Sequence, residues 1–389
     1  MQNKTPAALR PAASLVVVRP AAAGFELLLL RRSERGDQNS GAWVFPGGLV
    51  ERDDASASAW CGVLDDAAAS KKLGLAAGGL DFFVAAVREC FEEAGLLFAR
   101  DAQGACVAVG AEHGTARAAL RERTLRFATY CEREGLCLAM DELAYMAHWV
   151  TPIGMPKRFD TRFFLAALPP GQTVLHDGIE VIDHVWRSPA SILAAGDSIH
   201  LLRVTRAIIE LVAAFDGVAS LMRWAQSGRA VPSVHPRRCR DAGGPSSVLP
   251  GHPAYGELGL LDPLGSASVW SALRPGEAVD LFPGLQRVAG EGEAAHRYRI
   301  SAGGPVSAGT ELEFDAQGEP HVTPHAASTA GLEPVALTGG ARAWLLRSAG
   351  VLFAGPSLPP GAPLPDACHG VVRAIARGHG FLEAVESLQ

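Results

Sequence analysis

The chain has 389 residues, 48% of them apolar, and a formal net charge of −6 with a pI near 6.1. That length suits two domains, the apolar share excludes a disordered chain, and the acidic balance argues against a protein whose main task is nucleic-acid binding, which needs a basic surplus. Seven cysteines scattered without a CxxC pair fit a reducing compartment and read as packing residues rather than as a disulfide scaffold or zinc ribbon.

In chain order, residues 14–18 and 25–31 are β-rich runs joined by a Pro/Ala/Gly turn, which predicts a hairpin. Residues 42–45 predict a short strand that ends in Pro46-Gly47-Gly48. Residues 82–94 carry helical periodicity, and 117–131 predict a second, polar helix. Strands follow at 147–150, 162–168 and 181–186, then two helices within 191–215. From 226 to 253 the chain is rich in Ser, Gly, Pro and Arg and reads as a linker. Residues 254–389, Gly/Pro-rich with short apolar runs, predict a smaller β-rich domain. No apolar run approaches the roughly twenty residues needed to span a bilayer. No signal peptide is evident, and the closing Ser387-Leu388-Gln389 is not a peroxisomal address, so the expected location is the cytoplasm.

The chemistry concentrates in two short stretches, Phe45-Pro46-Gly47-Gly48 and residues 88–96, Arg-Glu-Cys-Phe-Glu-Glu-Ala-Gly-Leu. On a helix Glu89, Glu92 and Glu93 fall within about 100° of one another, with Val84, Val87, Phe91 and Ala94 opposite. Three carboxylates so placed repel unless cations neutralise them, and Mg²⁺ or Mn²⁺ prefers such oxygen donors and keeps water on its remaining positions. Arg88 can hold one carboxylate in place, and Gly95 is placed to end the helix.

With these residues the sequence resembles the Nudix hydrolases, whose signature runs Gly, five residues, Glu, seven residues, Arg-Glu, apolar, any, Glu-Glu, any, Gly, apolar. The second half matches throughout: Arg88, Glu89, Cys90, Glu92, Glu93, Gly95, Leu96. The first half admits two alignments. Counting back reaches Gly74 but puts Leu80 at the acidic position; counting forward from Gly48 reaches Asp54, then 33 residues (55–87) where seven are usual. The second is preferred, because FPGG is the family's usual entry to the motif and widening the loop costs only about 1.4 kcal/mol in closure entropy. The insertion, with Leu29, Leu30, Arg32, Ser33, Gly41 and the FPGG, is similar to the coenzyme A and acyl-coenzyme A diphosphatase branch, although Asp37 stands where an Arg is expected beside Gly36, with Arg35 near. HWVTP at 148–152, RFDTRFF at 158–164 and DGIEVIDHVWRSP at 177–189 extend the likeness to roughly 12–222.

The resemblance implies an α+β chain: a Nudix-type α/β/α sandwich with a mixed sheet over 1–222 (insertion 55–87), a linker at 223–253 and a small β-rich domain at 254–389. It implies a bacterial, Mg²⁺- or Mn²⁺-dependent diphosphatase acting on a small-molecule nucleotide substrate, foremost of coenzyme A type, without nucleic acid or membrane, and it leaves room for a homodimer. Glu89, Glu92 and Glu93 are the expected metal ligands, joined by Asp54 and Gly48. Arg88 orients them, and either Glu89 or Glu180, six residues before Trp186, is the base. Arg32, Arg35, Gly47, Gly48, Arg158 and Arg162 are the expected substrate-binding residues, and strand alternation sets Arg158, Asp160 and Arg162 on one side. His148 is read as a structural histidine. A non-catalytic nucleotide sensor on the same fold is the alternative, which Asp54 and the insertion motivate. In the C-terminal part, residues 252–258 and 281–288 look like the connector between some bacterial Nudix domains and a metallo-β-lactamase-like domain, and 344–356 is similar to a strand pair there, with Pro356 in place of a metal-binding Asp. That likeness implies a shortened remnant without zinc, since His321 and His325 stand alone; a lineage-specific appendage stays open beside it.

Overall fold

The structure is a computed structural model that describes residues 5–34, 40–176, 178–290, 296–301, 310–314, 319–323, 331–337, 340–355, 358–377 and 380–385. The chain divides into two compact units, one of residues 8–151 and 157–234, the other of 1–7, 152–156 and 235–389.

The first unit is built on an eight-stranded mixed sheet. Its elements run β1 (Leu9–Ala21), β2 (Gly24–Arg32), β3 (Trp43–Val44), β4 (Gly47–Leu49), α1 (Asp66–Leu73), α2 (Gly79–Ala94), β5 (Ala99–Arg100), α3 (Gly114–Arg121), α4 (Phe127–Arg133), β6 (Cys137–Leu138), β7 (Ala144–Val150), β8 (Arg158–Ala167), β9 (Val181–Arg187), α5 (Pro189–Ala194), α6 (Arg203–Val212), α7 (Val218–Ala225) and β10 (Ser233–Val234). β1 is its axis. β8 lies parallel along one edge from Leu9 to Val18, and two strands share the other: β2 at Val18–Ala21 and β4 at Ala12–Ser14. β2 therefore leaves β1 after Leu27, and the Gly47–Gly48 strand enters the fork.

Alternation along the strands divides the core into two. Leu15, Val17, Leu28, Leu30, Phe164 and Ala166 pack with α2, while Val16, Val18, Leu27, Leu29, Phe163 and Leu165 pack with Ile192, Ile208, Ile209, Val212 and Leu221 of α5, α6 and α7. Each of these Val, Leu, Ile and Phe side chains, removed from water, contributes about 1.5–3 kcal/mol. Helices thus cover both faces, the expected α/β/α sandwich. Where one helix is expected over 117–131 there are two, because Arg123 takes a left-handed conformation (φ 59°) and Thr124 and Leu125 turn their N–H groups back to the carbonyl of Ala119.

Residues 223–253, a linker by composition, hold the end of α7, then β10, which pairs with His148 and Trp149, then the hairpin of β11 (Arg237–Asp241) and β12 (Gly244–Val248). Composition misses this because two apolar side chains suffice: Cys239 and Val248 are buried with Ala254 and Leu258.

In the second unit the hairpin is followed by α8 (Tyr255–Leu261), a five-stranded antiparallel sheet, and another five-stranded sheet. The first sheet comprises β13 (Ala278–Phe282), β14 (Leu285–Val288), β15 (Arg297–Ile300), β16 (Thr310–Phe314) and β17 (Pro320–Thr323). The second comprises β18 (Leu332–Ala336), β19 (Arg342–Leu346), β20 (Val351–Phe353), β21 (Ala374–Ala376) and β22 (Glu383–Ala384). Tyr298, Leu312 and Phe314 of the first sheet share a core with Leu346, Val351 and Phe353 of the second. Under it Glu257 of α8 accepts from Arg287 Nη1 (2.6 Å), Arg287 Nη2 (2.9 Å) and the Leu382 N–H (2.6 Å), all buried. No helix among the described residues is long and apolar enough to cross a membrane.

Candidate functional site

The 33 residues between Asp54 and Arg88 are not an extruded loop. They open with a 3₁₀ turn at Asp54–Trp60, continue as α1, and from Gly79 onward are already the first half of α2. The N-terminal donors of α2, which lack intrahelical partners, are met by α1. Asp66 accepts from the N–H groups of Gly78 and Leu80, both at 3.0 Å, and the Ser70 hydroxyl accepts from that of Gly79 at 2.9 Å. A Cβ on Gly79 would fall 2.3 Å from the Ser70 nitrogen, so this close approach requires glycine. Gly74 caps the C-terminus of α1 in a left-handed conformation and faces open space, far from any role in the motif.

Gly48 is where the motif closes. A Cβ there would lie 2.4 Å from Glu89 Cδ and Oε1, so the strand and the carboxylate are in contact and any larger residue would displace the carboxylate. Next to it the Gly47 N–H donates to Glu93 Oε2 at 2.9 Å. The fork in the sheet thus delivers the Gly-Gly backbone to two carboxylates one helical turn apart.

Arg88 is the hub, itself 7% exposed. Its Nε donates to Asp54 Oδ1 (2.8 Å) and its Nη2 to Asp54 Oδ2 (3.1 Å) and the Leu49 carbonyl (2.9 Å). Nη1 donates to Glu89 Oε1 (2.8 Å) and, more weakly, to Glu92 Oε1 (3.3 Å). Burial lowers the pKa of Arg88, but its bonds and charges with Asp54, Glu89 and Glu92 outweigh that and hold it cationic.

Asp54 departs from its expected place among the metal ligands. It is fully buried, and both its oxygens are taken, by Arg88 and by the Glu51 N–H at 2.7 Å. Its short side chain reaches Arg88 because the 3₁₀ turn brings its backbone close. It grips Arg88, which in turn grips Glu89 and Glu92.

The carboxylates carry an electrostatic burden. Burial pushes Glu89 up to about 7 despite Arg88, and pushes Glu93 well above the usual range, with the charge of Glu89 adding to it; the Gly47 N–H and the Arg32 cation act the other way. Burial also raises Glu92. Among the described residues no three or more His, Cys, Asp or Glu side chains form a metal cage. The donor set still fits a hard divalent cation. It is all oxygen, and Glu89 Oε2, Glu92 Oε2 and Glu93 Oε1 accept no hydrogen bond from a described residue. Ions of this class complete their shells with water and would remove the repulsion.

The remaining expected residues divide. The charges of Arg32 and Glu180 are both felt at Glu93, and the exposed Glu180 is tied beside the strand end by the Ser33 N–H to its carbonyl at 2.8 Å. Arg35 lies outside the described residues, as do Asp37 and, in the C-terminal part, His325 and Pro356. Arg158 is half-buried and donates to the Thr151 carbonyl (3.1 Å). Arg162 is misplaced as a phosphate binder: it is 4% exposed, paired with Asp160, and covered by the Phe82 ring at 4.8 Å. Strand alternation does set it on the face of α2, but that face is core at this point. His148 bonds Asp160, and that bond together with Arg162 holds the Asp160 carboxyl down to about 2 against the opposing effect of burial. Asp66 and Ser70 were not singled out by sequence; the one available signal was the Asp65-Asp66 pair opening an Ala-rich run, a helix-start pattern.

Residues 77–201 match the family model of the NUDT19 Nudix domain. The chain is similar to proteins named acyl-coenzyme A diphosphatase NUDT19. Against that of Gallus gallus it is 31% identical over 211 residues, 42% of this chain and 54% of the relative; against that of Homo sapiens, 31% over 208 residues, 44% and 55%. The chain thus spans about half the length of the curated relatives it matches. Among solved structures, a NUDIX hydrolase from Alicyclobacillus acidocaldarius is 27% identical, with a TM-score of 0.48, covering 55% of this chain and 96% of that one. These likenesses lend no support to a metallo-β-lactamase-like remnant in residues 254–389, where the described residues form two β-sheets with the single α-helix α8.

Proposed function

We propose that the first unit is a Mg²⁺- or Mn²⁺-dependent hydrolase that cleaves the diphosphate bond of a nucleotide-linked substrate of coenzyme A or acyl-coenzyme A type. The observation that carries this is the meeting of the half-buried Glu89 and the buried Glu93, which repel each other, with the Gly47–Gly48 backbone. A binder of nucleotides alone gains nothing from that repulsion. The substrate class is supported by the names of the NUDT19 relatives and by the residues flanking the FPGG.

A diphosphate resists attack because its oxygens are negative. A divalent cation held by Glu89 and Glu93, with Glu92 alongside, would neutralise that charge and acidify a coordinated water. The chain's own residues do the rest. Arg88 fixes Glu89 and Glu92 while Asp54 fixes Arg88, and the Gly47 N–H orients Glu93. Arg32 offers its cation to a phosphate oxygen. Glu89 or Glu180 takes the proton as the water oxygen bonds to phosphorus and the bridging P–O bond breaks, leaving two phosphomonoesters.

The test is to incubate the full chain with acyl-coenzyme A, coenzyme A, ADP-ribose, NADH or an oxidised dNTP, with Mg²⁺ or Mn²⁺, and to identify products by mass. Turnover of the coenzyme A substrates, abolished in Glu93→Gln, is expected. Turnover confined to the others would refute the substrate class, and nucleotide binding without any turnover would establish the sensor.

A further inference from the structure

The structure assigns Arg117, which lies outside the motif, as a positioning residue that holds the C-terminal turn of α2 so that Glu92 and Glu93 keep a metal-binding arrangement. The inference rests on the reading of that site just given.

The last carbonyls of a helix have no intrahelical donor. In α2 this matters more than usual, because the turn they belong to carries Glu92 and Glu93. Among the described residues, three groups serve it. The Gly95 N–H donates to the Phe91 carbonyl at 3.0 Å, and the Leu175 N–H to that of Ala94 at 2.8 Å. Arg117 supplies the side-chain donors: Nε to the Phe91 carbonyl at 2.7 Å and Nη2 to the carbonyl of Glu92 itself at 2.9 Å. Its guanidinium fork therefore spans two consecutive carbonyls, which a single ammonium cannot reproduce.

Arg117 is 7% exposed and comes from α3, which lies outside the motif. A cation at this end of α2 also meets the negative pole of the helix dipole. The fit is close. Gly95 is left-handed (φ 70°), and a Cβ on it would sit 3.0 Å from Arg117 Nη1 and 3.1 Å from the Leu175 carbonyl oxygen. The glycine that ends the helix thus also makes room for the arginine. Without Arg117, two carbonyls in a buried setting lose side-chain donors, and the turn would be free to fray or rotate, carrying both carboxylates with it.

The experiment measures Mn²⁺ binding to the full chain by electron paramagnetic resonance, beside hydrolysis of acyl-coenzyme A. Three proteins are compared: wild type, Arg117→Lys, and Leu120→Ala, a buried residue of the same helix that touches the same core. Arg117→Lys is expected to bind Mn²⁺ about 10- to 100-fold more weakly, the range for loss of a group that orients metal ligands. Its kcat should fall while KM at saturating metal stays nearly unchanged. Leu120→Ala, though less stable, is expected to bind Mn²⁺ as wild type does. Equal affinity in Arg117→Lys and wild type, or an equal loss in Leu120→Ala, overturns the positioning role and leaves the diphosphatase standing. Absence of Mn²⁺ binding by the wild type overturns the metal site and this inference with it.

Discussion

Removing the Asp54 carboxylate tests whether Arg88 is held from behind. In Asp54→Ala, Arg88 Nε and Nη2 lose both acceptor oxygens, while Nη1 keeps Glu89 and Glu92 and Nη2 keeps the Leu49 carbonyl. Breaking a buried ion pair by deleting one partner costs about 3–5 kcal/mol. Because two other carboxylates remain near the cation, the lower end, about 3 kcal/mol, is expected. Asp54→Asn keeps the shape but only one acceptor and should cost about 2 kcal/mol. Asp54→Glu forces an extra methylene into a fully buried place and should cost about 1–3 kcal/mol. Urea unfolding followed by tryptophan fluorescence is the assay, since five of the seven tryptophans (Trp43, Trp60, Trp149, Trp186 and Trp224) lie in the unit that holds the site. Arg88→Met combined with Asp54→Leu should recover most of the stability but none of the hydrolysis, because an apolar pair fills the space without holding Glu89. A loss under 1 kcal/mol in Asp54→Ala, with hydrolysis intact, would refute the brace.

Three further outcomes are expected. Gly48→Ala should lower kcat by about 100-fold or more with little change in melting temperature, because its Cβ would displace the Glu89 carboxylate; steady-state kinetics near the wild-type value would contradict the contact. Burial raises Glu89 from 4.5 to about 7, so the metal-free protein has its full stability below the unfolded pKa and loses it as pH rises through the folded one, up to about 3 kcal/mol. Mg²⁺ or Mn²⁺ binds the ionised form, so the rise in melting temperature on adding metal should grow from pH 5.5 to pH 8; a constant or shrinking rise counts against the site. In the second unit, Glu257→Ala leaves Arg287 and the Leu382 N–H without their shared acceptor and should cost about 3–5 kcal/mol. Hydrogen exchange in β14 and β15 would show it, and unchanged protection there would refute it.

Period and punctuation made much of the first unit legible. The hairpin of β1 and β2 follows from two apolar runs and a turn, and α2 from apolar spacing that ends at Gly95. The carboxylate triplet was readable because charge repulsion on one helix face needs a reason. What sequence could not give is which polar groups the fold would bury. Arg162 and Asp54 both read as polar groups with outward tasks; Phe82 closes over the first, and the turn at 54–60 buries the second against Arg88. Arg117 lies 24 residues past Glu93 and carried no local signal at all. Nor did composition separate the hairpin of β11 and β12 from a flexible connector, since its burial depends on α8, which follows it.

The geometry of the 54–78 segment also changes what its departures from the Nudix pattern mean. Counted as a ligand, Asp54 is one methylene short and is separated from the Arg-Glu pair by 33 residues where seven are usual. Counted as the partner of Arg88, it has the reach it needs, because the chain that follows it folds back as α1 and caps the same helix through Asp66. The segment and the grip on Arg88 are therefore one device. Shortening the segment while keeping Asp54 would remove the cap on α2, and a glutamate restored at position 54 would disturb the grip. The two departures compensate each other, and a variant that corrects only one of them should be worse than the chain that carries both.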